Sequence, residues 1–150
     1  MMPDLRIQVA RVGPIVVPLP RYQTDGSSGM DLHAALLEGI SLPPLGRARI
    51  PTGLVFAIPH RFEGQIRPRS GLAARSGLTV LNAPGTVDSD YRGEVAVLLV
   101  NLSDIAVAIA PLERIAQLVI APVAHAELVV SAGLDATARG AGGYGSTGSG

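Results

Sequence analysis

The chain contains no cysteine and no lysine among its 150 residues. The first absence excludes disulfides, thiolate metal sites and cysteine nucleophiles together. The second excludes a Walker-type phosphate loop, which needs its lysine. Any polyphosphate must be held by arginine forks, backbone amides and hydroxyls, because all twelve basic residues are arginine. Long apolar runs are missing too: the stretches at residues 95–100 and 105–112 fall well short of a membrane span. Met1-Met2-Pro3-Asp4 has no basic segment leading into an apolar one, so no secretory signal is expected and the expected location is cytoplasmic. Twelve acidic residues balance the twelve basic ones, which argues against a surface that coats nucleic acid.

What is present fits one domain, and a chain of this length can bury roughly 70% of its unfolded surface. Gly and Pro recur every few residues, and between them lie short runs rich in Val, Ile and Leu. Strands are expected within residues 5–9, 15–19, 49–58, 64–67, 95–102 and 115–123, bounded by turn signals such as Pro43-Pro44, Pro59 and Asn82-Ala83-Pro84-Gly85. The one expected helical turn covers residues 70–76, where Leu72, Ala73 and Ala74 favour helix. Many short strands and almost no helix predict an all-β, single-domain β-sandwich or barrel. Composition changes near Ser131: the last twenty residues hold seven glycines and no proline. The expected division is therefore a β domain at 1–130 and a flexible Gly-rich C-terminal arm at 131–150. The arm places an arginine and an aromatic ring among its glycines, which suits a lid over a phosphorylated aromatic ligand.

Five segments carry candidate chemistry. Gly85-Thr86-Val87-Asp88-Ser89-Asp90-Tyr91-Arg92-Gly93-Glu94 reads as a hairpin, its tip at Asn82–Gly85 and Asp88 on the returning arm. A lone hairpin aspartate is usually a surface residue, but a second carboxylate and an aromatic beside it suggest a site lining. Pro68-Arg69-Ser70-Gly71-Leu72-Ala73 puts an arginine and a hydroxyl at a helix start, a plausible anion site. In Ser28-Gly29-Met30-Asp31-Leu32 the acid either caps a turn or holds waters on a metal. Gln117, in Arg114-Ile115-Ala116-Gln117, is an amide in an apolar strand and must find a hydrogen-bond partner, protein or ligand. The fifth is Arg139-Gly140-Ala141-Gly142-Gly143-Tyr144-Gly145-Ser146-Thr147-Gly148.

Taken in order, these five segments resemble the motifs of the trimeric deoxyuridine triphosphatase (dUTP pyrophosphatase) family, from about residue 5 to the end. The resemblance implies a distorted jelly-roll barrel. It also implies hydrolysis of dUTP to dUMP and pyrophosphate by in-line attack of water on the α-phosphorus. Such an activity limits uracil in DNA and supplies dUMP for thymidylate synthesis. Asp88 matches the carboxylate that orients and deprotonates the water. Arg69, Ser70, Gly71 and Gln117 match the phosphate cradle, joined by Arg139 and Ser146 from the arm, where Gly145 also matches a substrate-binding position. Asn82 with the backbone of Gly85, Thr86 and Val87 matches the uracil-reading edge. Tyr91 matches the ring under deoxyribose, and Tyr144 stands where phenylalanine is more usual. Asp31 matches an acid that reaches Mg2+ indirectly, through water. The implied assembly is a homotrimer with shared sites: Asp31, Arg69 and Gln117 from one subunit, the Asp88 hairpin from the next, the arm from the third. Apolar strands such as residues 95–100 would then pack around a central channel, with neither nucleic acid nor membrane as partner.

Two other readings compete. The deoxycytidine triphosphate deaminases share the fold but need a glutamate in the strand after the hairpin. Here that strand reads Val95-Ala96-Val97-Leu98-Leu99-Val100, without an acid. A non-catalytic nucleotide-binding β-sandwich would be expected to lack Asp88, Arg69 or the arm, and all are present.

Overall fold

A computed structural model describes residues 5–143; Tyr144, Gly145 and Ser146 lie outside the described residues. Eleven short strands and one helix follow one another along it: β1 (Gln8–Arg11), β2 (Gly29–His33), β3 (Ile40–Leu42), β4 (Arg47–Pro51), β5 (Leu54–Ala57), β6 (Phe62–Arg67), α1 (Ser70–Ser76), β7 (Leu78–Val80), β8 (Gly85–Val87), β9 (Ala96–Asn101), β10 (Val107–Ile109) and β11 (Arg114–Pro122). They form a four-stranded sheet in the order β2-β11-β6-β8, a three-stranded sheet β4-β9-β7, and two ribbons, β1-β5 and β10-β3. Every strand pairing among the described residues is antiparallel, and none of these sheets closes on itself. This is the expected all-β sandwich of jelly-roll type, with an open rather than a closed barrel.

The period of two decides which residues fill it. In β5 Leu54 and Phe56 turn inward, and in β9 Val97, Leu99 and Asn101 do. Leu32, Ile66, Val87 and Leu118 from the four-stranded sheet join them in a single core cluster. Asn101 is fully buried, and its amide is fully used. Nδ2 donates to the Leu42 and Ile105 carbonyls at 2.9 and 2.7 Å, while Oδ1 accepts from the Ser103 amide and hydroxyl at 2.9 and 2.7 Å.

Several expectations need correction. The run at 15–19 is not a strand, although Val17 is buried in the core. The run at 49–58 is two strands, because the chain turns at Thr52-Gly53, where the Thr52 hydroxyl donates to the Val95 carbonyl at 2.6 Å. The Asp88 hairpin is not a hairpin ladder. β7 pairs with β9 and β8 with β6, so the Asn82–Gly85 turn carries the chain from one sheet to another. Within residues 95–100, Val95, Val97, Leu99 and Val100 are buried in this chain, and Ala96 and Leu98 are half-buried. The helix at 70–76 is as expected, starting after Arg69 and stopping at the left-handed Gly77.

The body ends at Val123, whose amide donates to the Arg61 carbonyl at 2.8 Å. Beyond it, residues 124–143 add neither strand nor helix. Leu128, Val129, Val130 and Leu134 there are 93, 79, 100 and 94% exposed, so this chain does not cover its own apolar segment.

Candidate active site

The first group of candidate residues is built by β11. Its register against β2 pairs Arg114 with His33, Ala116 with Leu32 and Gln117 with Asp31, so Ile115 is an extra residue, a β-bulge. Without it, Arg114 and Gln117, three residues apart, would face opposite sides. With it, both share a face with Asp31 and His33, while Ile115 and Ala116 enter the core. Asp31 accepts from Arg69 Nε at 2.9 Å and from an Arg114 guanidinium nitrogen at 3.2 Å. Arg69 also donates to the Arg114 carbonyl at 3.2 Å. Gln117 Nε2 donates to the Pro68 carbonyl at 2.9 Å, which fixes the backbone just before Arg69, Ser70 and Gly71. A Cβ at Gly29 would collide with the Gln117 side-chain oxygen, so the glycine leaves room for the amide where it stands. Ser70 and Gly71 lie exposed at the start of α1.

His33 closes this group. Its Nδ1 is buried without a hydrogen-bond partner among the described residues. Burial lowers its pKa from the usual 6.5; Asp31 opposes that shift, and the Arg114 and Arg69 charges add to it. His33, Asp31 and Arg114 border a concavity of about 440 Å³ together with Arg21 and Gln23.

The second group surrounds the turn between sheets. Asn82, Gly85, Thr86, Val87, Asp88 and Tyr91 line one cleft of about 220 Å³. Asp88 is exposed, just past the end of β8, and its carbonyl accepts from the Tyr91 amide at 3.2 Å in a tight turn. Tyr91 O–H donates to the Glu94 carbonyl at 3.0 Å, pinning the ring across Gly93. A Cβ on Gly93 would overlap that ring, so the glycine is a condition of the ring's position. Glu94 in turn accepts from the Gly53 amide at 2.8 Å, which ties the loop to the start of β5.

The sequence-predicted residues thus fall into two sets. No residue lining the Asp88 cleft lines the Asp31 concavity. Arg139 is in neither; its Nε donates to the nearby Gly142 carbonyl at 2.8 Å. Sequence reasoning missed Arg114 as Asp31's second partner, His33 beside it, and Arg49 and Glu94 on the Asp88 cleft. Arg114 stood in a segment already singled out, but the bulge that turns it toward Asp31 has no signature in the residues. Arg49 lies in a strand distant in sequence and carried no signal.

The chain is similar to known proteins over most of its length. The dUTPase family profile matches residues 16–148. The deoxyuridine 5'-triphosphate nucleotidohydrolase of Methylocella silvestris is 61% identical over 134 residues, covering 88% of this chain and 84% of that protein. Among solved structures, the Staphylococcus bacteriophage 80alpha dUTPase with dUPNHPP superposes with a TM-score of 0.86 at 25% identity, over 96% of this chain and 99% of its own. A variant dUTPase of phage phi11 of S. aureus, described with a structural Mg(II) ion, gives 0.77 at 22% identity, over 87% and 99%. The fold, the ordered motifs and these likenesses coincide over nearly the whole chain, and the chain belongs to the dUTPase family.

Proposed function

We propose that this enzyme hydrolyses dUTP to dUMP and pyrophosphate by in-line attack of water on the α-phosphorus, with Asp88 orienting and deprotonating the water. The observation that carries this reading is the division of the candidate residues into two half-sites of complementary chemistry. The Asp88 cleft has the size and edges for a base and sugar. The Asp31 side has the cations for phosphates.

Asn82 and the backbone of Gly85, Thr86 and Val87 read uracil, while Tyr91 packs under deoxyribose and leaves no room for a 2′-hydroxyl. Arg69 is preset for phosphate: Nε and NH1 are used within the protein, and NH2 remains to meet an oxygen. Ser70, Gly71 and Gln117 complete the cradle. A carboxylate is a weak base, so positioning of the water supplies much of the rate. Mg2+ carried on the triphosphate supplies charge neutralisation for the departing pyrophosphate. Asp31 fits an indirect contact with it, because both carboxylate oxygens already accept guanidinium N–H bonds and an ion is met through water.

Three subunits share each site in this reading, forming a homotrimer. Residues 131–150 act as the lid, bringing Arg139, Tyr144, Gly145 and Ser146 to a neighbour's substrate. The uncovered apolar segment from Leu128 to Leu134 supports an arm that lies on another subunit. Among the described residues no helix is long and apolar enough to cross a membrane; a cytoplasmic place, beside the nucleotide pool, is part of the proposal.

Purified protein with Mg2+ and dUTP, dCTP or UTP tests the activity, with pyrophosphate and ammonia scored separately. Pyrophosphate from dUTP is expected; ammonia from dCTP would sink the reading, and binding without turnover would favour a non-catalytic module. Asp88→Asn should bind dUTP normally and lose turnover by roughly 10²- to 10⁴-fold, since the shape survives and the base does not.

A further inference from the structure

Residues 89–94 lie between β8 and β9 and belong to neither, so no strand ladder fixes the Tyr91 ring. Several of their hydrogen bonds are internal to the loop. The Arg92 guanidinium donates to the Ser89 and Tyr91 carbonyls at 2.7 and 2.9 Å, and the Tyr91 amide donates to Asp88. Such bonds stiffen the loop without locating it against the body. Among the described residues, the hydrogen bond that joins 89–94 to the body is made by the Glu94 carboxylate, which accepts from the Gly53 amide at 2.8 Å. Glu94 also supplies the carbonyl that receives the Tyr91 hydroxyl at 3.0 Å, and it lines the same cleft. We propose that Glu94 is a positioning residue for sugar selection. By gripping Gly53 it sets where the Tyr91 ring stands, and so the exclusion of a 2′-hydroxyl. This deepens the reading above and rests on Tyr91 lying under deoxyribose.

The anchor is rigid. Gly53 is buried at a left-handed φ of 67°, and its carbonyl accepts from the Val12 amide at 2.9 Å. Thr52 before it is fully buried and donates its hydroxyl to the Val95 carbonyl at 2.6 Å. The peptide unit that presents the Glu94 carbonyl is therefore held on both sides. On one, the Val95 amide donates to the Leu54 carbonyl at 2.9 Å; on the other, the carboxylate grips Gly53. A bond from an amide to an ionised carboxylate is charge-assisted, which makes it the strong link of this loop. Losing it frees the unit to pivot about Val95, and the ring hydroxyl moves with the carbonyl. Exclusion of a hydroxyl depends on a gap narrower than one oxygen atom, so a small displacement of the ring is enough to admit it.

Full-length protein assayed with Mg2+ gives the test as a ratio, kcat/KM for dUTP over kcat/KM for UTP. Glu94→Ala, and Glu94→Asp with its carboxylate one methylene short of Gly53, should each lower the ratio about tenfold. Tyr91→Phe keeps the ring without its hydroxyl and should act alike. Adding Glu94→Ala to it should cost little more, because both cut one link. Glu94→Gln still offers Gly53 an oxygen and should keep most of the ratio. If Glu94→Ala does not fold, Glu94→Asp and Tyr91→Phe carry the test. A carboxylate that served the fold alone would lower Tm and both activities together, leaving the ratio unchanged. An unchanged ratio in the Ala and Asp variants, or a Gln variant as impaired as Ala, would overturn the inference while wild type still prefers dUTP. A wild type that hydrolyses dUTP and UTP alike would overturn the placing of Tyr91 under deoxyribose, and this inference with it.

Discussion

Asp31 shows how one residue's surroundings decide its use. Two arginines hold its carboxylate, at 2.9 and 3.2 Å, and its side chain is only 15% exposed. That arrangement suits the proposed role, positioning cations and water. His33 beside it predicts a pH dependence. Burial lowers its folded pKa below the unfolded 6.5, so at pH values between the two the unfolded chain binds more protons. Its neutral-state contribution is fully present above pH 6.5 and is lost as pH falls through the folded pKa. Urea midpoints measured from pH 5 to 8 should therefore decline below about 6.5, and His33→Gln should flatten that decline. An unchanged slope would assign it to other groups. At Gly93 an added methyl would meet the Tyr91 ring. Gly93→Ala should thus weaken discrimination of dUTP from UTP by roughly tenfold, read as a ratio of kcat/KM values, with the fold intact.

Strands and turns obey their own rules. The apolar runs show that strands exist, and the helix at 70–76 is legible from its composition. Their partners are not, since pairing depends on residues far along the chain. The turn from Asn82 to Gly85 looks like a hairpin tip because its flanks alternate, yet its strands join different sheets. Two other turns carry leucine where backbone sterics disfavour it: Leu45 at φ 61° and Leu112 at φ 58°, each following a proline. Both are exposed, at 76 and 43%, so little packing compensates the left-handed conformation. Replacing either with glycine should raise stability by about 0.5–1 kcal/mol, the relief of the left-handed cost less the added unfolded-state entropy. Thermal melts of Leu45→Gly and Leu112→Gly would show it; lower Tm values would mean that the leucines are buried in the assembly.

For the whole molecule, the separation of the two half-sites matters most. If sites are shared between subunits, two inactive variants should rescue one another. In randomly mixed trimers of Asp88→Asn and Arg69→Ala, half the contributed Asp88 groups and half the contributed Arg69 groups are wild type. About one quarter of sites then has both. Co-refolded mixtures should recover about that share of wild-type activity, and no recovery would place each site within one chain. Removing residues 139–150 should abolish most turnover while the protein still runs as a trimer in size-exclusion chromatography. A monomer would mean that the removed segment holds the assembly together.

The residue identities in the five segments, the absence of lysine and the Gly-rich end are properties of the sequence by itself. They are enough for an all-β fold and a dUTPase-like chemistry, because side-chain chemistry and local φ preferences are local matters. Tertiary structure decided the rest. The bulge at Ile115 turns Arg114 and Gln117 to one face, the divergence of β7 and β8 opens the Asp88 cleft, and Asp31 lies in a separate concavity. Each depends on register and pairing, which are settled by packing across the whole chain.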